Sequence, residues 1–181
     1  MLKQSGVTLL EMLITIAIVA IVLTSVAPAM QTMLIQNRIV ADTNELSSII
    51  QYARHHSIDQ QVDTLVCPSD NFTSCSADWN DVKMVFADID GNGVRGTDED
   101  ILVATSATNP NNQVSGTAAS LRFEASGAVD NPAVITLCHK DKVVKYARAL
   151  IVSLQGRVKI SRDDNDDGLH EDNTGNALSC S

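Results

Sequence analysis

A lone carboxylate stands inside an apolar run. Residues 7–27 form a long apolar stretch whose single charge is Glu11, preceded by a short polar stub that carries one basic residue, Lys3. A carboxylate at the centre of a membrane-length helix costs about 2.5–3.5 kcal/mol on insertion scales, so a charge kept there must be used. Two ordinary readings leave it unexplained. A secretory signal peptide has a basic start, a 7–15-residue apolar stretch and a small-residue cleavage site. Here the run is too long, the basic region is Lys3 alone, and Pro28 sits inside the would-be site Ala27-Pro28-Ala29. A plain transmembrane anchor needs about 20 apolar residues, which the run supplies. It accounts for neither Glu11 nor the Gly6–Val7 junction.

The stretch Gly6-Val7-Thr8-Leu9-Leu10-Glu11 resembles the prepilin signature of type IV pilins and type II secretion pseudopilins. That resemblance implies cleavage after Gly6 by a prepilin peptidase and N-methylation of Val7. It also implies a role for Glu11 in subunit assembly, paired with the N-terminal amine of a neighbouring subunit. Both charges would otherwise be stranded in an apolar bundle, and together they set axial register. Val7 departs from the Phe that many family members carry after the cut; methylation acts on the backbone amine, so processing remains expected.

Four cysteines, Cys67, Cys75, Cys138 and Cys180, lie beyond the apolar run. Outside the cytoplasm an even count points to two disulfides, with three connectivities open. Zinc would want C-x2-C pairs, which the sequence lacks. Cys67-Pro68-Ser69, then Cys75, Trp79, a distant Cys138 and the near-terminal Cys180 are similar to the layout of the GspH/FimT group of minor pilins, FimU-like members in particular. The resemblance implies the pairs Cys67–Cys75 and Cys138–Cys180. Asn80-Asp81 after Trp79 departs from the group, where a Gly-Trp pair is common.

Asp88, Asp90, Asn92, Gly93 and Glu99 satisfy the spacing of a twelve-residue calcium loop, with oxygens at alternate positions and a closing Glu. Strands are expected on both sides instead of helices, and Asp, Asn and Gly are what any β-turn recruits. The loop is therefore read as a turn, with Ca²⁺ at Asp88, Asp90, Asn92 and Glu99 as the alternative. A second acidic loop, residues 163–168 with Glu171, has Thr174 where a closing Glu would stand. Residues 156–162 carry the one basic stripe: Arg157, Lys159 and Arg162. In FimT-like pilins a Gly-Arg-rich segment at this place contacts DNA. Here the five residues 163–167 follow at once and oppose phosphate, so the stripe is read as a sheet edge blunted by cations, with DNA contact as the alternative. His55, His56, His139 and His170 are scattered and form no triad pattern. No catalytic residue and no metal or other cofactor is assigned.

The elements that must carry these groups follow from periodicity. The 181 residues have net charge −9, pI near 4.7 and 3% aromatics, a composition unsuited to gripping nucleic acid. Pro28 bends the first helix. Beyond it Ile35, Ile39, Leu46, Ile49, Ile50 and Ala53 recur at three- and four-residue steps, an amphipathic pattern ending near residues 54–57. Short β-branched or alternating runs at 64–67, 82–87, 101–104, 120–124, 134–139, 147–154 and 157–161, separated by Asn/Asp/Gly/Pro clusters at 88–96, 109–116 and 130–132, predict antiparallel strands.

The fold class is α+β and type IV pilin-like, a long helix packed on antiparallel sheets. Its parts are leader 1–6, transmembrane and assembly half-helix 7–28, amphipathic half-helix 29–57, and β-rich domain 58–181. Lys3 before the apolar run holds the leader on the cytoplasmic side. The resemblance implies a minor subunit at or near the tip of a type IV pilus. Such a subunit is held in the inner membrane by one pass, with its β-domain periplasmic, and then moves into a fibre at the cell surface. Its partners are other pilin and minor pilin subunits, prepilin peptidase and inner-membrane lipid. The alternatives are a GspH-like type II secretion pseudopilin and a DNA-binding, FimT-like pilin for transformation.

Overall fold

The structure is a computed structural model in which residues 6–180 are described; residues 1–5, Lys3 among them, and Ser181 lie outside the described residues. One helix, α1, runs Leu9–Gln60, and the chain divides into two compact units, Met1–Asn37 and Arg38–Ser181. In the first unit the helix opens on Thr8, whose hydroxyl accepts the Glu11 N–H at 3.2 Å and whose carbonyl accepts the Met12 N–H at 3.2 Å. That satisfies one of the orphan donors at the helix start. The side-chain hydroxyls turn back on their own helix: Thr15 donates to the Met12 carbonyl, Thr24 and Ser25 to that of Ile21, and Thr32 to that of Pro28. The helix therefore presents an apolar surface despite four hydroxyls, as a lipid or apolar environment demands. Pro28 sits inside it, where a ring nitrogen cannot donate to the carbonyl four residues back.

In the second unit the helix becomes one-sided. Ile39, Thr43, Leu46, Ser47, Ile49, Ile50, Ala53 and Ser57 are buried, the three- and four-residue spacing of a single face. Each fully buried Ile or Leu contributes about 1.5–3 kcal/mol. The helix passes the expected end at 54–57 and stops at Gln60, where Gln61 turns to φ 55°. Ser57, a poor helix former by type, is held in the helix by donating to the Arg54 carbonyl.

The strands are β1 Thr64–Pro68, β2 Lys83–Ala87, β3 Ile101–Ala104, β4 Asn112–Gly116, β5 Leu121–Phe123, β6 Ala133–His139, β7 Arg148–Val152 and β8 Val158–Ile160. They form two antiparallel sheets, ordered β3-β2-β1-β5 and β4-β6-β7-β8. One expectation is corrected: residues 112–116, read as part of a turn, are strand β4 at the edge of the second sheet. An edge strand tolerates polar residues, and only Asn112 and Val114 of β4 are buried. Four of the expected runs contract, 82–87 to β2, 120–124 to β5, 157–161 to β8 and, most of all, 147–154 to β7 after a 3₁₀ turn at Val144–Tyr146, whereas β3 matches its run and β1 and β6 each gain one residue.

Each sheet turns one face to the helix and has its other face covered. Val66, Val85, Leu121, Phe123, Ile135, Leu137, Leu150 and Val152 share a core with the helix residues and Trp79. On the first sheet's far side Leu65, Met84 and Phe86 cluster with Cys67 and Cys75. On the second sheet's far side Ala147 and Ala149 cluster with Cys138, Leu178 and Cys180. The disulfides Cys67–Cys75 and Cys138–Cys180 bind these two covers to their sheets. Trp79 is 1% exposed and donates from Nε1 to the Ala118 carbonyl at 2.8 Å. Gly116 lies so close under its indole that a Cβ there would come 2.7 Å from Cδ1.

Candidate functional sites: an unpaired apolar helix and two acidic loops

The N-terminal unit carries the first candidate site. Gly6 and Val7 precede the helix, a Cβ at Gly6 would meet nothing within 4 Å, and Val7 is 65% exposed. The Gly6–Val7 peptide is thus an open segment, the form a peptidase needs. Glu11 is exposed in the first helical turn, where the positive end of the helix dipole favours an anion. Thr8 caps the helix that presents Glu11, a positioning role that the sequence reading passed over. The pair Thr8…Glu11 has the spacing of a capping box, Ser/Thr followed three residues on by Glu, so its signal was present in the sequence. The apolar window of this helix has mean hydropathy 2.5, and none of it is buried. Leu9, Leu10, Met12, Leu13, Ile14, Ile16, Ile18 and Val19 are all exposed.

The second candidate is the 88–99 loop. Asp88 Oδ2 accepts the Gly93 N–H at 3.1 Å, Asp90 Oδ1 accepts the Asn92 N–H at 3.1 Å, and Asn92 Oδ1 accepts the Val94 N–H at 2.6 Å. Glu99 closes the loop by accepting Ile89 N–H through Oε1 and Gly96 N–H through Oε2. One oxygen from each of Asp88, Asp90 and Glu99 lies within 4.8 Å of the others. Burial pushes the Asp88 carboxyl above its ordinary value; the Gly93 N–H and the Arg122 guanidinium act against that shift. Arg122 is itself committed mainly to Asp63, through Nε at 2.9 Å and Nη2 at 2.6 Å.

The 163–171 loop gathers Asp163, Asp167 and Glu171 to the same 4.8 Å. Its closing acid is Glu171 and not a residue at position 174, since Thr174 bonds to Asp172 instead. Sequence spacing hid this, because the loop closes three residues early. Beside it, His170 Nδ1 meets the Ser161 carbonyl at 2.7 Å. Burial, and then Arg148, hold that imidazole below its ordinary value.

The basic stripe is dispersed. Arg157 and Lys159 line one surface hollow with Asn173, while Arg162 lines another, with Ser47 and Gln51, that Lys159 also borders. Strand β8 forms an edge of its sheet. A further cation, Lys83, is buried and donates to Thr108 Oγ1 at 2.7 Å. Burial lowers its pKa, against the pull of Glu45 and Asp42. It is a structural ammonium in a hollow lined by those two acids.

A helix with an apolar, uncovered first half, followed by a disulfide-tied unit of two antiparallel sheets, defines a pilin-like subunit. Residues 1–27 match the prokaryotic N-terminal methylation motif, and residues 42–156 match the family described as type II transport protein GspH. The chain belongs to that family. Its fold is similar to the type IV minor pilin FimU of Pseudomonas aeruginosa strain PAO1, at TM-score 0.55 and 16% identity over 70% of this chain and 90% of that one. It is also similar to the minor pseudopilin EpsH from the type II secretion system of Vibrio cholerae, at TM-score 0.50 and 10% identity over 69% of this chain and 94% of that one. No curated protein matches the chain by sequence.

Proposed function

We propose that this chain is a minor subunit of a type IV pilus, processed by prepilin peptidase between Gly6 and Val7 and N-methylated on Val7. The observation that carries the reading is the exposed apolar helix with its single acidic residue in a methylation motif. Such a surface in water is unfavourable by about 25 cal/mol per Å², so lipid covers it before assembly and neighbouring subunits cover it afterwards. The anchor resides in the inner membrane, with the 38–180 unit on the periplasmic side, a compartment that permits both disulfides. In the fibre Glu11 receives the freed amine of the adjacent subunit. An ion pair in an apolar bundle contributes little net stability but fixes register, because a shifted neighbour leaves both charges unmatched. The chain acts by polymerising, not by catalysis.

The test uses two substitutions in the cell. Gly6→Ala leaves only the larger, uncut form on a gel. Glu11→Ala leaves insertion and cleavage intact but removes the subunit from sheared fibres; wild-type incorporation would sink the Glu11 assignment. Deletion of the gene separates pilus from secretion system: loss of surface fibres supports the proposal, whereas loss of secreted enzymes with fibres intact assigns the chain to a type II secretion pseudopilus.

A further inference from the structure

Two buried carboxylate oxygens have no hydrogen-bond partner, and each belongs to an acidic cluster. Asp88 is 2% exposed and Glu171 5%. Asp88 Oδ1 and Glu171 Oε1 are sealed from solvent and accept no hydrogen bond. Among the described residues only four buried side-chain atoms are in this position, the others being Arg95 Nε and Asn112 Oδ1. Two of the four thus fall in the two clusters whose carboxylates converge within 4.8 Å. A buried polar atom without a partner costs about 1–3 kcal/mol, and more for a charged group. Two such costs at two convergent acidic sites point to a cation as the missing partner.

We propose that the 88–99 and 163–171 loops each bind one calcium ion. In the first, Asp88, Asp90, Asn92 and Glu99 supply side-chain oxygens and Val94 its carbonyl. In the second, Asp163, Asn165, Asp167 and Glu171 do so with the carbonyl of Leu169. The two loops share a backbone frame at matching offsets. Gly168 N–H donates to Asp163 Oδ2 at 2.8 Å and Leu169 N–H to Asp167 Oδ1 at 2.8 Å, as Gly93 and Val94 do in the first loop. Gly93 and Gly168 take the turn at φ 75° and 85°.

The ion is identified by the chemistry of its donors and by the loop spacing. Every side-chain donor is an oxygen, which excludes the softer metals that seek nitrogen and sulfur. The first loop places Asp88, Asp90, Asn92 and Glu99 at the first, third, fifth and twelfth positions of a calcium loop, and carboxylate oxygens that lie within 4.8 Å of one another can meet at one ion. Arg122 Nη1 approaches Asp88 Oδ2 at 3.7 Å, which offsets part of the charge at the first site but leaves Oδ1 unmet.

The position of the loops says what the ions do. Arg95 donates from its N–H to the Thr73 carbonyl at 3.1 Å and from Nη1 to the Phe72 carbonyl at 3.2 Å. These bonds join the first loop to the Cys67–Cys75 cover. Glu171 N–H donates to the Arg162 carbonyl and Leu178 N–H to the His170 carbonyl, each at 2.8 Å, which joins the second loop to the cover that holds Cys180. Each sheet's outer cover therefore has one covalent brace and one ionic brace.

The test is equilibrium dialysis of the full chain in detergent against radioactive calcium up to about 5 mM, several times above the dissociation constants of about 0.1–1 mM typical of extracellular calcium modules. Wild type binds two ions per chain, Asp88→Asn one, Glu171→Gln one, and the double variant none. The exposed ligands give a second pair that leaves the core untouched: Asp90→Asn and Asp167→Asn each weaken their own site by about tenfold or more, since ligand charge sets affinity. Thermal midpoints in chelator check folding; calcium raises the wild-type midpoint, and each variant responds less. No bound calcium overturns both sites. A variant that retains two ions overturns the site it alters, and magnesium displacing calcium at equal concentration overturns the identity of the ion.

Discussion

Gly156→Ala tests how tightly the second unit is locked at the turn before the basic strand. Gly156 sits at φ 69°, and a Cβ there would overlap the Gly127 carbonyl oxygen and come 2.9 Å from Arg54 Nε. The carbonyl is backbone, so it cannot rotate away. It accepts a hydrogen bond from Arg54 Nε at 3.1 Å, and Gly127 is itself fixed at φ 77° with Ile58 Cδ1 2.5 Å from its own Cβ position. The left-handed backbone costs an L-residue about 1–2 kcal/mol, and overpacking against a fixed neighbour adds about 1–3 kcal/mol. The substitution thus removes about 2–5 kcal/mol from a stability of about 5–15 kcal/mol. Gly175→Ala is the control, since Gly175 sits at φ 82° with nothing within 4 Å and carries only the backbone part, about 1–2 kcal/mol. Urea unfolding of the full chain in detergent, followed by far-ultraviolet circular dichroism, reads both. Equal midpoint shifts for the two variants would refute the steric argument.

The two disulfides should differ in worth. Chain-entropy reasoning gives about 4 kcal/mol for the Cys138–Cys180 loop and about 2.5 kcal/mol for the shorter Cys67–Cys75 loop. Cys180→Ser should therefore lower the urea midpoint more than Cys75→Ser and expose residues beyond 161 to protease; the reverse order would contradict this. His170 should make stability depend on pH. Its folded pKa lies below the unfolded one, so the unfolded chain takes up the proton first. Stability is then full above about pH 6.5 and declines as pH falls toward the folded value. Comparing urea midpoints at pH 7.5 and 5.0, His170→Gln should shrink the difference; an unchanged difference would remove His170 as the cause.

The parts of this chain legible in its sequence are those where one physical demand dominates. The apolar run with Glu11 admits few readings, because a charge in that setting is costly. Ile39, Leu46, Ile49, Ile50 and Ala53 mark the buried helix face, since burial must follow the helical period. Strand β4 was illegible: Asn112 and Gly116 are turn-formers by type, and pairing with β6 overrides that preference. Lys83–Ala87 reads as an alternating strand, yet all five residues are buried, because a disulfide loop covers the face that would otherwise meet water. The role of Glu171 was hidden because its carboxylate closes the loop locally, on the Asp164 N–H, three residues short of the motif's spacing.

Trp79 gives the molecule a built-in reporter. It is the sole tryptophan, and residues 1–37 contain no aromatic side chain. Its indole is enclosed where helix, loop and sheet meet, with its N–H already bonded. Intrinsic emission therefore arises from the β-bearing unit alone and starts from a dry, blue-shifted state. The same optical signal follows that unit in micelle, bilayer or polymer. A red shift during handling means that this core has opened, whatever surrounds the apolar helix.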